Sequence, residues 1–357
     1  MVHHARVSMK VLVTGGAGFI GSNLVRLLLS QGHEVMNVDL LTYSGTIASL
    51  ADIVDHPGYH FLHADVADRP AMQGVFSGFG PEAVLHLAAE SHVDRSIDAP
   101  DDFIRTNIQG TFALLEAARS LGPRAPRFIH VSTDEVFGSL GDTGIFTESS
   151  RYDPRSPYSA TKAASDHLVS AWGNTYGLPV IITRSTNNFG PFQFPEKWIP
   201  LVILKAIHNE TIPVFGSGLQ IRDWIHVLDH CHALVAIMER GEIGKSYNIG
   251  AYNERRNIDV ACGICSILDS RRPRPDGRPH ESAIVHVADR PGHDTRYATD
   301  AGLLRKNLGW APQHPWDAAL AATVDWYLNH EDWWQPLLAR DNPLRRQGQL
   351  PPATAGR

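Results

Sequence analysis

A chain of 357 residues with 43% apolar content can bury more core than one ordinary domain, so one large domain with an appended lobe, or two domains, is expected. A net charge of −6 from interspersed signs gives no basic footprint for nucleic acid or an anionic membrane, and no apolar run approaches the about 18 residues of a membrane span. Three cysteines make a poor disulfide framework; Cys262 and Cys265 form a CxxC without a second pair, so these two and Cys231 read as packed interior residues and no metal is expected.

Met1 to Ser8 lacks the apolar core of a secretory signal, which makes the cytoplasm the expected compartment. Lys10 to Thr14 is a β-rich run, followed by Gly15-Gly16-Ala17-Gly18-Phe19-Ile20-Gly21 and the helical pattern Leu24, Val25, Leu28. Strand, glycine turn and helix is the order a dinucleotide pyrophosphate needs. Gly15 permits the turn, Gly18 lets backbone approach the phosphates, Gly21 lets the helix pack closely, and the helix N-terminus faces the anion. Gly32 ends that helix, and Val35 to Val38 forms a second strand closed by Asp39. A carboxylate there accepts from an adenosine ribose and repels a 2′-phosphate, which predicts NAD over NADP. Asp65, after another short strand, is either an adenine contact or a turn residue. Ala83 to Leu87 makes a fourth strand, and the small Ala88 and Ala89 after it admit a flat ligand. Thr106 opens a long helix carrying Phe112, Leu114, Leu115 and Ala118. The alternation predicts an α/β fold, a Rossmann-like, doubly wound parallel sheet.

Phe128 to Val131 reads as a buried strand, so Thr133, Asp134 and Glu135 emerge at its end, where such sheets present their ligand crevice. Tyr158 and Lys162 stand four apart in a helical segment, on one face. A nearby ammonium favours phenolate, so Tyr158 is expected below its reference pKa of about 10, as suits a general base. The bland alternatives are chance spacing for the Tyr/Lys pair and a helix cap for the Asp-Glu pair. Beyond Ile182 Pro and Gly become frequent, as in a lobe of loops and short elements. Asn187 and Asn188 offer amides, and Glu196-Lys197 follow. Arg222 can fork onto a diphosphate, or pair with Asp223. Arg271 to Pro279 reads as a solvated turn, Val324 to Leu328 as a late helix, Glu331 to Trp334 as a docked segment, and Ala339 onward as a disordered tail.

Seven blocks in order carry a resemblance: AAESHVDRSI from Ala88, STDEV from Ser132, SPYSATKAASDHL from Ser156, NNFGPFQFPEKWIPL from Asn187, IRDWIHV from Ile221, YNIG from Tyr247 and ADRPGHDTRYA from Ala288. From Met9 to about Leu337 the chain resembles the dTDP-glucose 4,6-dehydratases of the extended short-chain dehydrogenase/reductase superfamily. The resemblance implies an NAD-binding domain over 9–186, a mainly nucleotide-sugar-binding lobe over 187–337, tails at 1–8 and 339–357, and a return of the chain to the sheet within 224–250, near His226 and Tyr247. It implies Thr133, Asp134, Glu135, Tyr158 and Lys162 as catalytic residues. To the cofactor contacts Gly15, Gly18, Gly21, Asp39, Asp65, Tyr158 and Lys162 it adds Phe19, Ile20, Leu40, Thr42, Val66, Leu87, Ala88, Ala89, Thr106 and Asn187. For substrate it implies Ser91, Thr133, Asn188, Glu196, Lys197, Phe215, Arg222, Asn257, Arg290 and His293. The expected reaction turns dTDP-glucose into dTDP-4-keto-6-deoxyglucose, in a homodimer formed through the helix after Thr106 and the helix bearing Tyr158. Phe137 and Phe189 stand where relatives usually carry tyrosine, and Leu40 where many carry a polar or basic residue. The rival readings are the same reaction on UDP-glucose, a nucleotide-sugar 4-epimerase, which has no work for Asp134-Glu135, and a non-catalytic NAD-binding protein.

Overall fold

A computed structural model describes residues 8–289 and 293–341. In chain order the first half runs β1 (Lys10–Thr14), α1 (Phe19–Ser30), β2 (Glu34–Asp39), β3 (Tyr59–His63), α2 (Arg69–Phe79), β4 (Ala83–His86), α3 (Val93–Asp98), α4 (Pro100–Phe103), a π-helix (Ile104–Gly110), α5 (Thr111–Ser120), β5 (Arg127–Thr133), α6 (Pro157–Tyr176) and β6 (Val180–Ser185). The second half runs β7 (Asn187–Phe189), α7 (Trp198–Ile207), β8 (Ile212–Phe215), β9 (Ile221–His226), α8 (Val227–Arg240), β10 (Ser246–Ile249), β11 (Glu254–Arg256), α9 (Asn257–Arg271), β12 (Ile284–Val287), α10 (Gly302–Leu308), α11 (Trp316–Asn329) and α12 (Glu331–Asp341).

Seven parallel strands form one sheet in the order β10-β6-β5-β4-β1-β2-β3. Side chains alternate across it, as the two-residue period of a strand requires. Val11, Val13, Leu85, Ile129 and Val131 enter a core shared with α1 and α8, whereas Leu12, Val84, Phe128 and Val180 enter one shared with α2, α5 and α6. Both faces are therefore covered, which is why the strands read as near-continuous apolar runs. Strand order reverses between β1 and β4, and the crevice of a doubly wound sheet opens there, beyond the carboxyl ends. A third core joins α7, α9, α11 and α12, with Trp333 and Trp334 buried in it.

Four expectations need correction. The helix expected from Thr106 begins as a π-helix. Thr111 and Ser165 hydroxyls both donate to the Asn107 carbonyl, at 2.6 Å each, and compete with the helical ladder. The strand ending at His226 pairs with β7 and β11 in a separate three-stranded sheet, so near that point the chain returns to the main sheet's face as α8; β10, with Tyr247, rejoins the sheet itself. Helix α12 runs to Asp341, so Ala339 and Arg340 are helical; residues 1–7 and 342–357 lie outside the described part. Cys231 and Cys265 are buried, but Cys262, on the outer side of α9, is only half-buried. Among the described residues no helix is long and apolar enough to cross a membrane.

Candidate active site

The turn after β1 is a cradle made by glycine. Gly15 has φ +75°, and a Cβ there would stand 2.8 Å from the backbone of Ala88 after β4, so both conformation and close approach demand glycine. A Cβ on Gly21 would stand 2.1 Å from the Gly15 carbonyl oxygen. Gly18 meets no such obstacle, its nearest neighbour being 3.4 Å away; it lines the cleft and starts α1 without a side-chain cap. First-turn N–H groups are thereby left for an anionic ligand. Asn37 accepts from Gly16 N at 3.0 Å, and Asp39 accepts from Ala17 N and Leu41 N, each at 2.8 Å, pinning the loop. Burial pushes the Asp39 carboxyl up while these two backbone donors pull it down. The cradle fits a dinucleotide. Gly21→Ala should release little or no dinucleotide on denaturation, because the added methyl must displace the Gly15 carbonyl; nucleotide content equal to wild type would contradict this.

From the cradle one cleft extends past the strand ends to β5, α6 and β7, with Asp39, Asp65, Glu196 and Lys197 in its lining. Thr133 closes β5, and its Oγ1 accepts from Glu135 N at 3.2 Å, capping a short 3-10 helix over Asp134–Phe137. Thr133, not the acid pair, is thus the cap, and both Asp134 and Glu135 line the cleft. Helix α6 is fixed at its start by a reciprocal Ser156–Ser159 capping box with Pro157 in the first turn. Tyr158 and Lys162 consequently face the end of β5, and Lys162 Nζ donates to the Val131 carbonyl at 2.8 Å.

Burial governs the titration of these groups. Asp134 is fully buried and pushed up to about 8, by desolvation first and then by Glu135; the Thr299 hydroxyl, donating to Oδ2 at 3.1 Å, opposes this. Burial thus favours its protonated form. Lys162 is lowered to about 8 by burial, against the pull of Asp166. Tyr158 lies above, not below, its ordinary value, since desolvation and then Glu135 outweigh the hydrogen bond with Thr133. The expectation from the Tyr/Lys spacing counted the ammonium and omitted desolvation. Glu90, also on the cleft, is raised to about 7 by burial and Asp102.

Phe19, Ile20, Leu40, Thr42, Val66, Leu87, Ala88, Ala89, Thr106 and Asn187 line this cleft together with the glycines, the acids, Tyr158 and Lys162. Asp65 is a turn residue, accepting from Ala67 N at 2.8 Å, and also pairs with Arg105 at 2.6 Å. Ser91, Asn188, Glu196 and Lys197 line the same cleft; Arg95 Nε meets Glu196 at 2.9 Å and Lys197 Nζ reaches the Ser91 carbonyl at 2.8 Å. Phe215, Arg222, Asn257 and His293 are not in that lining but form a second group. Arg222 donates to the carbonyls of Ile221 and Asp294 and lies 4.3 Å from the Tyr297 ring; the Phe215 and His293 rings are 6.4 Å apart; Asn257 N donates to Gln220 O at 3.0 Å. The alternative Arg222–Asp223 pair does not form: successive strand residues point to opposite faces, and Asp223 accepts from Ala251 N and Asn253 N. Tyr297 and Thr299 share one segment, which joins this group to Asp134. Arg290 lies outside the described residues. Sequence reasoning missed Thr299, which stands 165 residues from its partner, and Gln193 and Phe194, which sit inside a quoted block and line the cleft.

The family model for GDP-mannose 4,6 dehydratase matches residues 12–323. A dTDP-glucose 4,6-dehydratase of Xanthomonas campestris pv. campestris is 51% identical over 344 residues, 94% of this chain and 98% of the relative. The crystal structure of a dTDP-glucose 4,6-dehydratase from Streptomyces venezuelae, with NAD and a second ligand bound, superposes with a TM-score of 0.86 at 43% identity, covering 92% of this chain and all of that one. A UDP-glucose 4-epimerase of Thermotoga maritima shares the fold at TM-score 0.80 but only 29% identity, over 90% of this chain and 99% of its own.

Proposed function

This chain belongs to the dTDP-glucose 4,6-dehydratase family, and on that premise we propose that it converts dTDP-glucose to dTDP-4-keto-6-deoxyglucose with NAD held in the glycine cradle. One observation carries the reading: two adjacent carboxyls, the buried Asp134, which burial pushes towards its protonated form, and the half-buried Glu135, share one cleft with Tyr158 and Lys162 at the end of β5. An acid and a base side by side are what water elimination needs and what a 4-epimerase has no use for.

Bound NAD supplies the hydride acceptor for C4, the hydride donor for C6, and a positive charge that offsets the carboxylates' hold on the Tyr158 proton. Tyr158 accepts the C4 hydroxyl proton, with Lys162 charged beneath it and Thr133 orienting the oxygen. The C4 ketone acidifies the C5 hydrogen, which Glu135 removes. Asp134 gives its proton to the departing C6 oxygen, so water leaves with the electron pair of the C6–O bond, and the proton held by Glu135 returns to C5 as C6 gains its hydride. Asp39 receives the ribose, and Arg222, Asn257 and His293 serve the nucleotide behind the carboxylates. A cytoplasmic homodimer through α5 and α6 completes the proposal, supported by exposed Ile104 and Tyr176 on and beside these helices.

Side-by-side incubation with dTDP-glucose and UDP-glucose, followed by mass spectrometry, tests the reading. Loss of one water from dTDP-glucose with the higher kcat/KM is expected. A higher kcat/KM on UDP-glucose would overturn the nucleotide assignment, and a product of unchanged mass would overturn the reaction.

A further inference from the structure

We infer that His230, which lies outside the cleft, locks the Asn188 amide in the orientation that the Thr186 carbonyl also requires, and thereby holds Asn188 as a hydrogen-bond donor to an acceptor oxygen of the nucleotide sugar. The inference rests on the functional reading above. Asn188 belongs to β7, where its backbone pairs with Ile225 of β9 and its carbonyl accepts from Gln193 Nε2 at 2.9 Å. Its side chain is half-buried on the cleft wall. Nδ2 lies 2.9 Å from the Thr186 carbonyl and 3.4 Å from Ser185 Oγ, and Oδ1 lies 2.9 Å from His230 Nδ1 in the first turn of α8.

These distances allow one set of protons. A carbonyl oxygen accepts only, so Thr186 requires the amide nitrogen on its side, and the amide oxygen then faces the imidazole. Two acceptors cannot share a hydrogen bond, so His230 carries its proton on Nδ1. The other ring nitrogen agrees: Nε2 is buried with no hydrogen-bond partner, and a proton there would be a buried donor without an acceptor. Flipping the amide would set Oδ1 against the Thr186 carbonyl and move the imidazole proton to that stranded position. Burial also keeps the ring neutral, with a pKa lowered to about 3, so the arrangement holds across the working pH range.

The consequence for the cleft is directional. The Asn188 oxygen is occupied by His230 and one N–H by Thr186. The remaining N–H, only loosely matched by Ser185, is left for a ligand. It suits a diphosphate oxygen or a hexose oxygen and rejects a donor. His230 is therefore a positioning residue that acts through Asn188.

The test uses the holoenzyme and the variants His230→Leu, His230→Asn, His230→Gln, Asn188→Ala and the Asn188→Ala/His230→Leu double variant. It measures kcat and KM for dTDP-glucose and calorimetric Kd for dTDP. His230→Leu should raise KM about 10-fold, the loss of one oriented hydrogen bond, with kcat and bound NAD nearly unchanged. A parallel rise in the dTDP Kd places the acceptor on the diphosphate; an unshifted Kd places it on the hexose. Asn puts a donor where Nδ1 was and should restore KM, whereas Gln puts its donor nearer the Nε2 position and should behave like Leu. In the Asn188→Ala background the His230→Leu penalty should vanish, as coupling through Asn188 requires. An unchanged KM in His230→Leu, or a penalty undiminished by Asn188→Ala, overturns the inference. If His230→Leu does not fold, the Asn/Gln contrast decides, and equal KM values overturn it. Wild-type protein that binds no dTDP would overturn the functional reading and this inference with it, whereas normal wild-type binding with unshifted variants overturns the inference alone.

Discussion

Tyr158→Phe should lower dehydration of dTDP-glucose by about 10²- to 10⁴-fold, the usual contribution of a general base, and should leave no reduced-nicotinamide absorbance during turnover. On the proposed mechanism the phenol takes the C4 proton, with the buried Lys162 ammonium one helical turn away, and the first oxidation depends on it. The substitution keeps the ring, whose edge-to-face contact with Phe103 at 6.4 Å and burial in α6 are independent of the hydroxyl. Stability should therefore change little while chemistry is lost. A Phe variant that still oxidised the sugar at wild-type rate would remove Tyr158 from the mechanism.

The carboxylates should fail at a later stage and separately. Glu135→Gln leaves Tyr158 and Lys162 in place, so oxidation at C4 proceeds but proton removal at C5 does not. Reduced-nicotinamide absorbance should then accumulate and persist. Asp134→Asn keeps the C5 base and removes the acid, so C5 hydrogen should exchange with solvent faster than water is lost. Each defect is expected at about 10²- to 10⁴-fold in overall rate. The sign with pH follows from the site. Asp134, raised to about 8, acts as an acid only when protonated, and Lys162, lowered to about 8, assists only when charged. Both requirements are met below that pH and lost as pH rises through it, so the share of the rate that depends on Asp134 and Lys162 should fall above about 8. In Asp134→Asn the slow residual reaction should keep only the Lys162 limb. Near-normal dehydration in both carboxylate variants would make the pair structural.

The cradle was legible because each step of it is local: Gly15, Gly18 and Gly21 act on a turn between neighbouring elements, and Asp39 closes the next strand. The acid-base stretch was legible for the same reason, since β5 and the capped start of α6 set where Thr133, Asp134, Glu135, Tyr158 and Lys162 point. What the sequence could not carry was long-range. The Thr299 hydroxyl on Asp134 and the Asn107 carbonyl shared by Thr111 and Ser165 depend on how distant segments pack. The direction of the Tyr158 shift was missed for a related reason: charge proximity can be read from spacing, whereas burial of the whole side chain is a property of the assembled fold. His226 shows the limit for topology, because a strand followed by a helix reads alike in either sheet.

The most direct test is the fate of one hydrogen. Purified protein is given dTDP-glucose deuterated at C4, and the product is analysed by mass spectrometry and deuterium NMR. If one cofactor takes hydride from C4 and returns it to C6 of the same sugar, the product has lost one water and carries deuterium at C6. A product of unchanged mass inverted at C4, or complete washout of deuterium to solvent with water lost, would contradict this account.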